Sequence, residues 1–85
     1  PAVLYWLGNT HYALREYKEA IEVYQRLLTK APQHPRVPET KLAIANCHLE
    51  LKDLPSARKV LEALAQQFPQ TEAAATARDR LARLR

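Results

Sequence analysis

Tyr5-Trp6-Leu7-Gly8-Asn9, read with Ala20, Tyr24, Leu27 and Pro32 behind it, decides the fold of this 85-residue chain. The pattern returns 37 residues later. Pro1 falls on Pro38, Asn9 on Asn46, His11 on His48, Leu14 on Leu51 and Ala20 on Ala57. Val23 then falls on Val60, Leu27 on Leu64, Pro32 on Pro69 and Gln33 on Gln70. Conservative pairs fill in the rest: Leu7 with Ile44, Gly8 with Ala45, Tyr24 with Leu61. The offset carries into the tail, where Leu81-Ala82 matches Ile44-Ala45. Self-similarity at a fixed period is the mark of a repeat array. Two full units (1–34 and 38–70) and a capping half unit (71–85) are therefore expected in one all-α domain.

The residue types say how such a unit packs. Gly8 and Ala45 are small at mid-helix places, where a second helix must cross closely. Glycine costs about 1 kcal/mol there relative to alanine, so a packing reason is implied. Ala20 and Ala57 are the matching small residues on the second helix. Tyr24/Leu61 and Leu27/Leu64 supply bulk one and two turns on, and Pro32 and Pro69 end it.

Apolar spacing predicts a first helix over 2–14, with Leu4, Leu7, Tyr12 and Leu14 among its apolar positions. A short turn near Arg15-Glu16 leads to a second helix over 17–30, and a proline-rich link over 31–38 follows. The third helix is expected over 38–51. Asp53 as N-cap and Pro55 in the first turn open a fourth, ending near Gln67. Thr71 is the next N-cap, starting a last helix through Leu84 with Ala74, Ala77, Leu81 and Leu84 inward.

With one glycine and an abundance of Ala, Leu, Glu, Lys and Arg, the composition is that of an all-helical chain. No apolar run reaches membrane-spanning length, so direct membrane insertion is not expected. No signal peptide is present, which leaves a cytosolic chain or an excised mature fragment; the opening at Pro1, inside a repeat, favours the fragment. Such a cut would expose an apolar face, with Leu4 and Trp6 contributing, that an upstream helix pair covers.

Leu7, Gly8, Tyr17, Ala20, Tyr24 and Pro32 resemble the tetratricopeptide repeat pattern. Leu4 and His11 stand where that family usually has Trp and Tyr, and the 37-residue period exceeds its usual 34, with the excess in the proline-rich link. The resemblance implies antiparallel helix pairs stacked as a right-handed superhelix. Within the family, Tyr5-Trp6-Leu7-Gly8, Tyr17-Lys18-Glu19-Ala20, the Lys-Ala-Pro link, Pro38 and Phe68-Pro69-Gln70-Thr71-Glu72-Ala73-Ala74 are similar to the C-terminal domain of the YbgF/CpoB family. Those are periplasmic cell-division coordinators of the Tol–Pal system. That similarity implies a non-enzymatic scaffold that binds TolA and a peptidoglycan synthase. It also implies a trimer formed through a preceding coiled coil, of which nothing is present here. The alternatives are an adaptor of another bacterial complex, either an outer-membrane assembly lipoprotein or a cytosolic adaptor, and a basic nucleic-acid-binding helical domain.

In the family the first helix of each unit lines a concave groove. By the offset, unit one presents Ala2, Tyr5, Trp6, Asn9, Tyr12 and Ala13, and unit two presents Glu39, Leu42, Ala43, Asn46, Leu49 and Glu50. The half unit adds Asp79, Arg80 and Arg83. The protein-binding candidates are Tyr5, Trp6, Asn9, Tyr12, Leu42, Asn46, Leu49, Arg80 and Arg83: aromatic at one end, amide-bearing in the middle, cationic at the other. Trp, Tyr and Arg are enriched at binding hot spots. Trp6 has a second reading, packing against an upstream repeat. Tyr5 and Ala43 stand where a C-terminal-carboxylate clamp needs Lys and Asn, which argues against one.

The remaining candidates favour structure over chemistry. The +4 net charge comes from both ends: five cations face three carboxylates over 1–38, four face four over 39–70, and four face two over 71–85. Arg78, Arg80, Arg83 and Arg85 admit an anionic partner, nucleic acid included, but also suit the negative end of a helix dipole as a solvated cap. Cys47 is alone, so no disulfide framework or Cys₂His₂ site is available, and it reads as a buried structural thiol. His11 and His48 share one place in successive units. A metal or pH-sensing pair is the sharp reading; duplicated packing is the plain one, and the third place is Arg85. Glu16, Glu19 and Glu22 could be read as a carboxylate pair, but Glu22 lies four residues before Arg26, and ordinary helix-surface pairing is the expected reading. No nucleophile–base pair or phosphate-cradling glycine loop is present, so neither an enzyme nor a cofactor site is expected.

Overall fold

In the computed structural model, which describes residues 2–84, the chain forms five helices: α1 (Ala2–Ala13), α2 (Tyr17–Lys30), α3 (Val37–Glu50), α4 (Leu54–Gln67) and α5 (Glu72–Arg83). No strand occurs among the described residues. Expectations that fall on Pro1 and Arg85 lie outside them. α1 packs on α2, α2 on α3, α3 on α4, and α4 on α5, so neighbours in sequence are neighbours in space. Stacked helix pairs of this kind form the expected superhelical array.

Both helix pairs close by the same turn. Glu16 N–H donates to His11 O (2.8 Å) and Arg15 N–H to Tyr12 O (2.9 Å). In unit two Asp53 N–H donates to His48 O (2.8 Å) and Lys52 N–H to Leu49 O (3.0 Å). This is the Schellman arrangement, which satisfies the last carbonyls of a helix and needs a left-handed residue after its end. Here that residue is Arg15 (φ 63) and Lys52 (φ 65) rather than glycine. Asp53 accepts from Ser56 N–H as N-cap of α4, and Thr71 from Ala74 N–H as N-cap of α5, as the spacing predicts. The Ser56 hydrogen bonds hold the Asp53 carboxyl below its ordinary range, so this cap weakens as acid protonates it.

Two apolar clusters form the core. Ala20, Tyr24, Ile44 and Cys47 pack between the first pair and α3. Ala45, Leu61, Leu64, Ala73 and Ala77 pack between α3, α4 and α5, with Leu81 and Leu84 at the margin. The small residues let backbones approach. A Cβ added at Gly8 would collide with the Tyr24 ring, which is itself buried. At the equivalent place in unit two, Ala45 shares its cluster with Leu61, a smaller side chain than Tyr24. Bulk on one helix is matched by its lack on the other.

Two expectations need correction. The exposed apolar face of α1 is not made by Leu4, which is half-buried. It consists of Val3 (75% exposed), Leu7 (41%) and Leu14 (63%), with Trp6 (56%) beside it. The offset places Thr40, Ile44 and Cys47, all buried, on the same stripe of α3 as Val3, Leu7 and Thr10 on α1. The difference is that α2 covers α3, whereas no described element covers that side of α1. Nor does Glu22 pair with Arg26: no ion pair within 4.0 Å joins them, both being long, solvated side chains. Glu16 instead meets His11 across the turn, 2.7 Å from Nδ1.

Gly8→Ala gains about 1 kcal/mol of helix propensity yet should destabilise the fold by about 1–2 kcal/mol net, because the Tyr24 ring would have to leave its place in the core and its hydrogen bond to Asn9. In a double-mutant cycle read by chemical denaturation, Tyr24→Leu should remove most of that penalty. Additive effects would contradict the packing described. Arg15→Gly and Lys52→Gly, which relieve left-handed strain, should each stabilise by about 1 kcal/mol.

Candidate functional site

The first helix of each pair turns one side toward a shared groove. Tyr5, Asn9 and Tyr12 lie one or two turns apart on α1. Glu39, Leu42, Ala43 and Asn46 do the same on α3. Together, with the Tyr24 side chain of α2 between them, they line a hollow of about 410 Å³. A second hollow, also about 410 Å³, adjoins it between α3 and α5 and is lined by Leu49, Thr76, Asp79, Arg80, Arg83 and Leu84. Glu39 and Leu42 also border a third, toward the starts of α3 and α5.

Two hydrogen bonds tie this surface to the fold. The Tyr24 hydroxyl donates to Asn9 Oδ1 at 2.5 Å, and the Arg80 guanidinium donates to Asn46 Oδ1. The asparagines occupy the same place in successive units, and each is held through its carbonyl oxygen. Burial raises the Tyr24 phenol well above its ordinary pKa, so it stays a donor throughout the usable pH range. Burial, then the Glu50 carboxylate, raises Tyr12 in the same direction. The Tyr17 hydroxyl lies 3.5 Å from Glu50, and the Tyr12 and Tyr17 rings meet edge-on at 5.3 Å.

Of the sequence-derived candidates, Tyr5, Asn9, Tyr12, Leu42 and Asn46 come together in the first hollow, and Leu49, Arg80 and Arg83 in the second. Trp6 lines neither. It stands edge-on to Tyr5, with centroids 5.2 Å apart, and the Arg36 guanidinium lies 4.9 Å from the Tyr5 ring and 5.4 Å from Trp6. Arg36 also donates to Glu39 at 3.0 Å. Sequence reasoning missed Arg36 and the wall formed by Tyr24. Arg36 lies in the irregular link, where periodicity carries no information, and Tyr24 was legible only as a core residue.

The other chemistry-bearing residues are structural in their surroundings. Cys47 is fully buried, and burial pushes its thiol up to about 11, with Glu50 adding to the effect. His48 Nδ1 lies 3.8 Å from Asp53 Oδ2, the counterpart of the His11–Glu16 contact, so the two histidines repeat a turn contact and do not meet each other. No group of three or more His, Cys, Asp or Glu side chains that could hold a metal ion occurs among the described residues. No described helix is long and apolar enough to cross a membrane.

A ladder of helix hairpins with a side-chain-lined groove and small residues at the crossings defines an α-helical repeat scaffold. Residues 1–34 match one tetratricopeptide repeat model, and residues 33–81, more than half of the chain, match a second. The chain belongs to the tetratricopeptide repeat family, whose domains are in general interaction modules rather than catalysts. It is a protein–protein interaction scaffold. No curated protein sequence matches it.

The Cys47 environment generates a direct test. At pH 8 the native chain should react with an alkylating reagent far more slowly than the same chain in denaturant, where the thiol returns to about 8.5. Equal rates followed by mass spectrometry would contradict the buried thiol.

Proposed function

We propose that this domain binds a protein segment along the α1–α3–α5 groove, as a YbgF/CpoB-like component of the Tol–Pal system. In that reading it works in the periplasm, contacts TolA and a peptidoglycan synthase, and couples wall synthesis to envelope constriction during cell division. In that family a preceding coiled coil trimerises the protein, and the same assembly is proposed here. The observation that carries the groove reading is the junction of the two hollows at the Arg80–Asn46 hydrogen bond, which makes one surface of two. The Tol–Pal assignment rests on the residue resemblance from Tyr5-Trp6-Leu7-Gly8 to Phe68-Pro69-Gln70-Thr71-Glu72-Ala73-Ala74.

Interfaces concentrate their energy in a few aromatic and arginine side chains; here Tyr5 and Tyr12 line the first hollow and Arg80 stands where it meets the second. Tyr5 contributes apolar area with a polar tip, and Arg80 contributes a charge already oriented by Asn46. Orientation in advance lowers the entropy cost of binding.

Titration of the 85-residue chain with TolA and with generic duplex DNA, at two salt concentrations, tests the reading. Tyr5→Ala and Arg80→Ala should each weaken TolA capture by about 2 kcal/mol without loss of helicity. The Arg80 contribution should fade with salt and that of Tyr5 should not. Tight DNA binding that ignores Tyr5, with a slope in log salt of about 0.9 per phosphate contact, would overturn the groove reading. A folded chain that ignores TolA altogether would overturn the Tol–Pal assignment and leave an adaptor of another complex.

A further inference from the structure

We infer that the groove selects an acidic segment, one carrying an internal Asp or Glu side chain that meets Arg80, with neighbouring carbonyl oxygens accepting from Asn9 and Asn46. The inference rests on the groove reading above and specifies the chemistry of its ligand.

An amide side chain has one acceptor oxygen and one donor nitrogen. In both asparagines the oxygen is already taken, by Tyr24 in one case and Arg80 in the other. The nitrogens have no hydrogen-bond partner among the described residues. Among the described residues His48 Nδ1 is the buried side-chain polar atom without a hydrogen bond, so the two amide nitrogens are open to solvent within the hollow. What they offer an incoming chain is therefore donation. Had the amides been free to turn, they would have accommodated donors and acceptors alike.

Charge points the same way. Glu39 accepts from Arg36 and Asp79 from Arg83 (3.2 Å), while Glu50 faces the Tyr17 hydroxyl. Arg80 has no carboxylate within 4.0 Å among the described residues, and its partner is the neutral Asn46. A half-buried guanidinium held by a neutral oxygen keeps donors to spare, and a carboxylate is the acceptor that its planar fork fits best. The acid comes from a side chain within the segment, because the groove continues on both sides of Arg80: toward Tyr5 and Tyr12 one way, toward Leu49 and Leu84 the other. A chain ending at Arg80 would leave one hollow empty.

The test is selection from a random twelve-residue library displayed with both peptide ends fused, so that no free terminal carboxylate is offered. Selected sequences are then synthesised with both ends capped. The expected result is enrichment of peptides bearing Asp or Glu, capture of which depends on Tyr5. Exchanging that acid for its amide should weaken binding about tenfold, the ordinary worth of a charged hydrogen bond. Asn46→Asp, which supplies Arg80 with an internal carboxylate, should lose the same peptides about tenfold while keeping an unchanged or raised melting temperature. Enriched neutral or basic peptides whose capture needs Tyr5 would leave the groove in place and overturn its acidic selectivity. Binding that requires a free C-terminus would overturn the internal acid. Failure to enrich any peptide dependent on Tyr5 would remove the groove reading and this inference with it.

Discussion

The contact between the Tyr24 ring and the bare backbone of Gly8 is the constraint on which the rest of the molecule depends. Absence of a side chain at Gly8 lets α2 approach α1 closely enough for the ring to lie against the helix. From there the ring serves two further purposes. Its apolar body joins Ala20, Ile44 and Cys47 in the cluster that holds α3 to the first pair, and its hydroxyl reaches Asn9 on the groove side. One side chain thus sets the spacing of the first hairpin, its attachment to the second and the polarity of a groove amide.

Repetition explains much of the remainder, and its failures are as informative. The same turn closes both hairpins with Arg15 and Lys52 in left-handed conformation, and the same histidine–carboxylate contact spans it, tight in unit one and loose in unit two. Equivalent stripes on α1 and α3 meet opposite fates, because burial belongs to a neighbourhood and not to a residue. Ile44 is 4% exposed under α2, and its counterpart Leu7 is 41% exposed. Trp6 next to that open stripe has Arg36 stacked against it, a cation–aromatic contact that shields part of a large apolar ring from water.

The groove departs from strict repetition where selectivity arises. Two asparagines repeat, but one is held by a phenol of its own unit and the other by an arginine from the half unit. The result is a surface with a repeated donor and an unrepeated charge. A scaffold fold shared across many interaction modules says little about partners; such local hydrogen-bond choices distinguish one groove from another.

Helix order, the two N-caps at Asp53 and Thr71 and the small residues at the crossings were legible in the chain. Each follows from local rules: propensity, capping chemistry and a period of 37 residues. The groove positions came from the resemblance to the repeat family, carried over by the offset; of these Tyr5, Asn9, Tyr12, Leu42 and Asn46 line one hollow and Trp6 does not. Tertiary structure decided the exposure of Leu7 and Leu14, the placing of Arg36 over Tyr5 and Trp6, and the absence of a Glu22–Arg26 pair. It decided above all which atom of each asparagine is occupied. Those outcomes depend on side chains separated by 15 and 34 residues meeting across helix boundaries, and no period within one helix encodes the partner that another helix supplies.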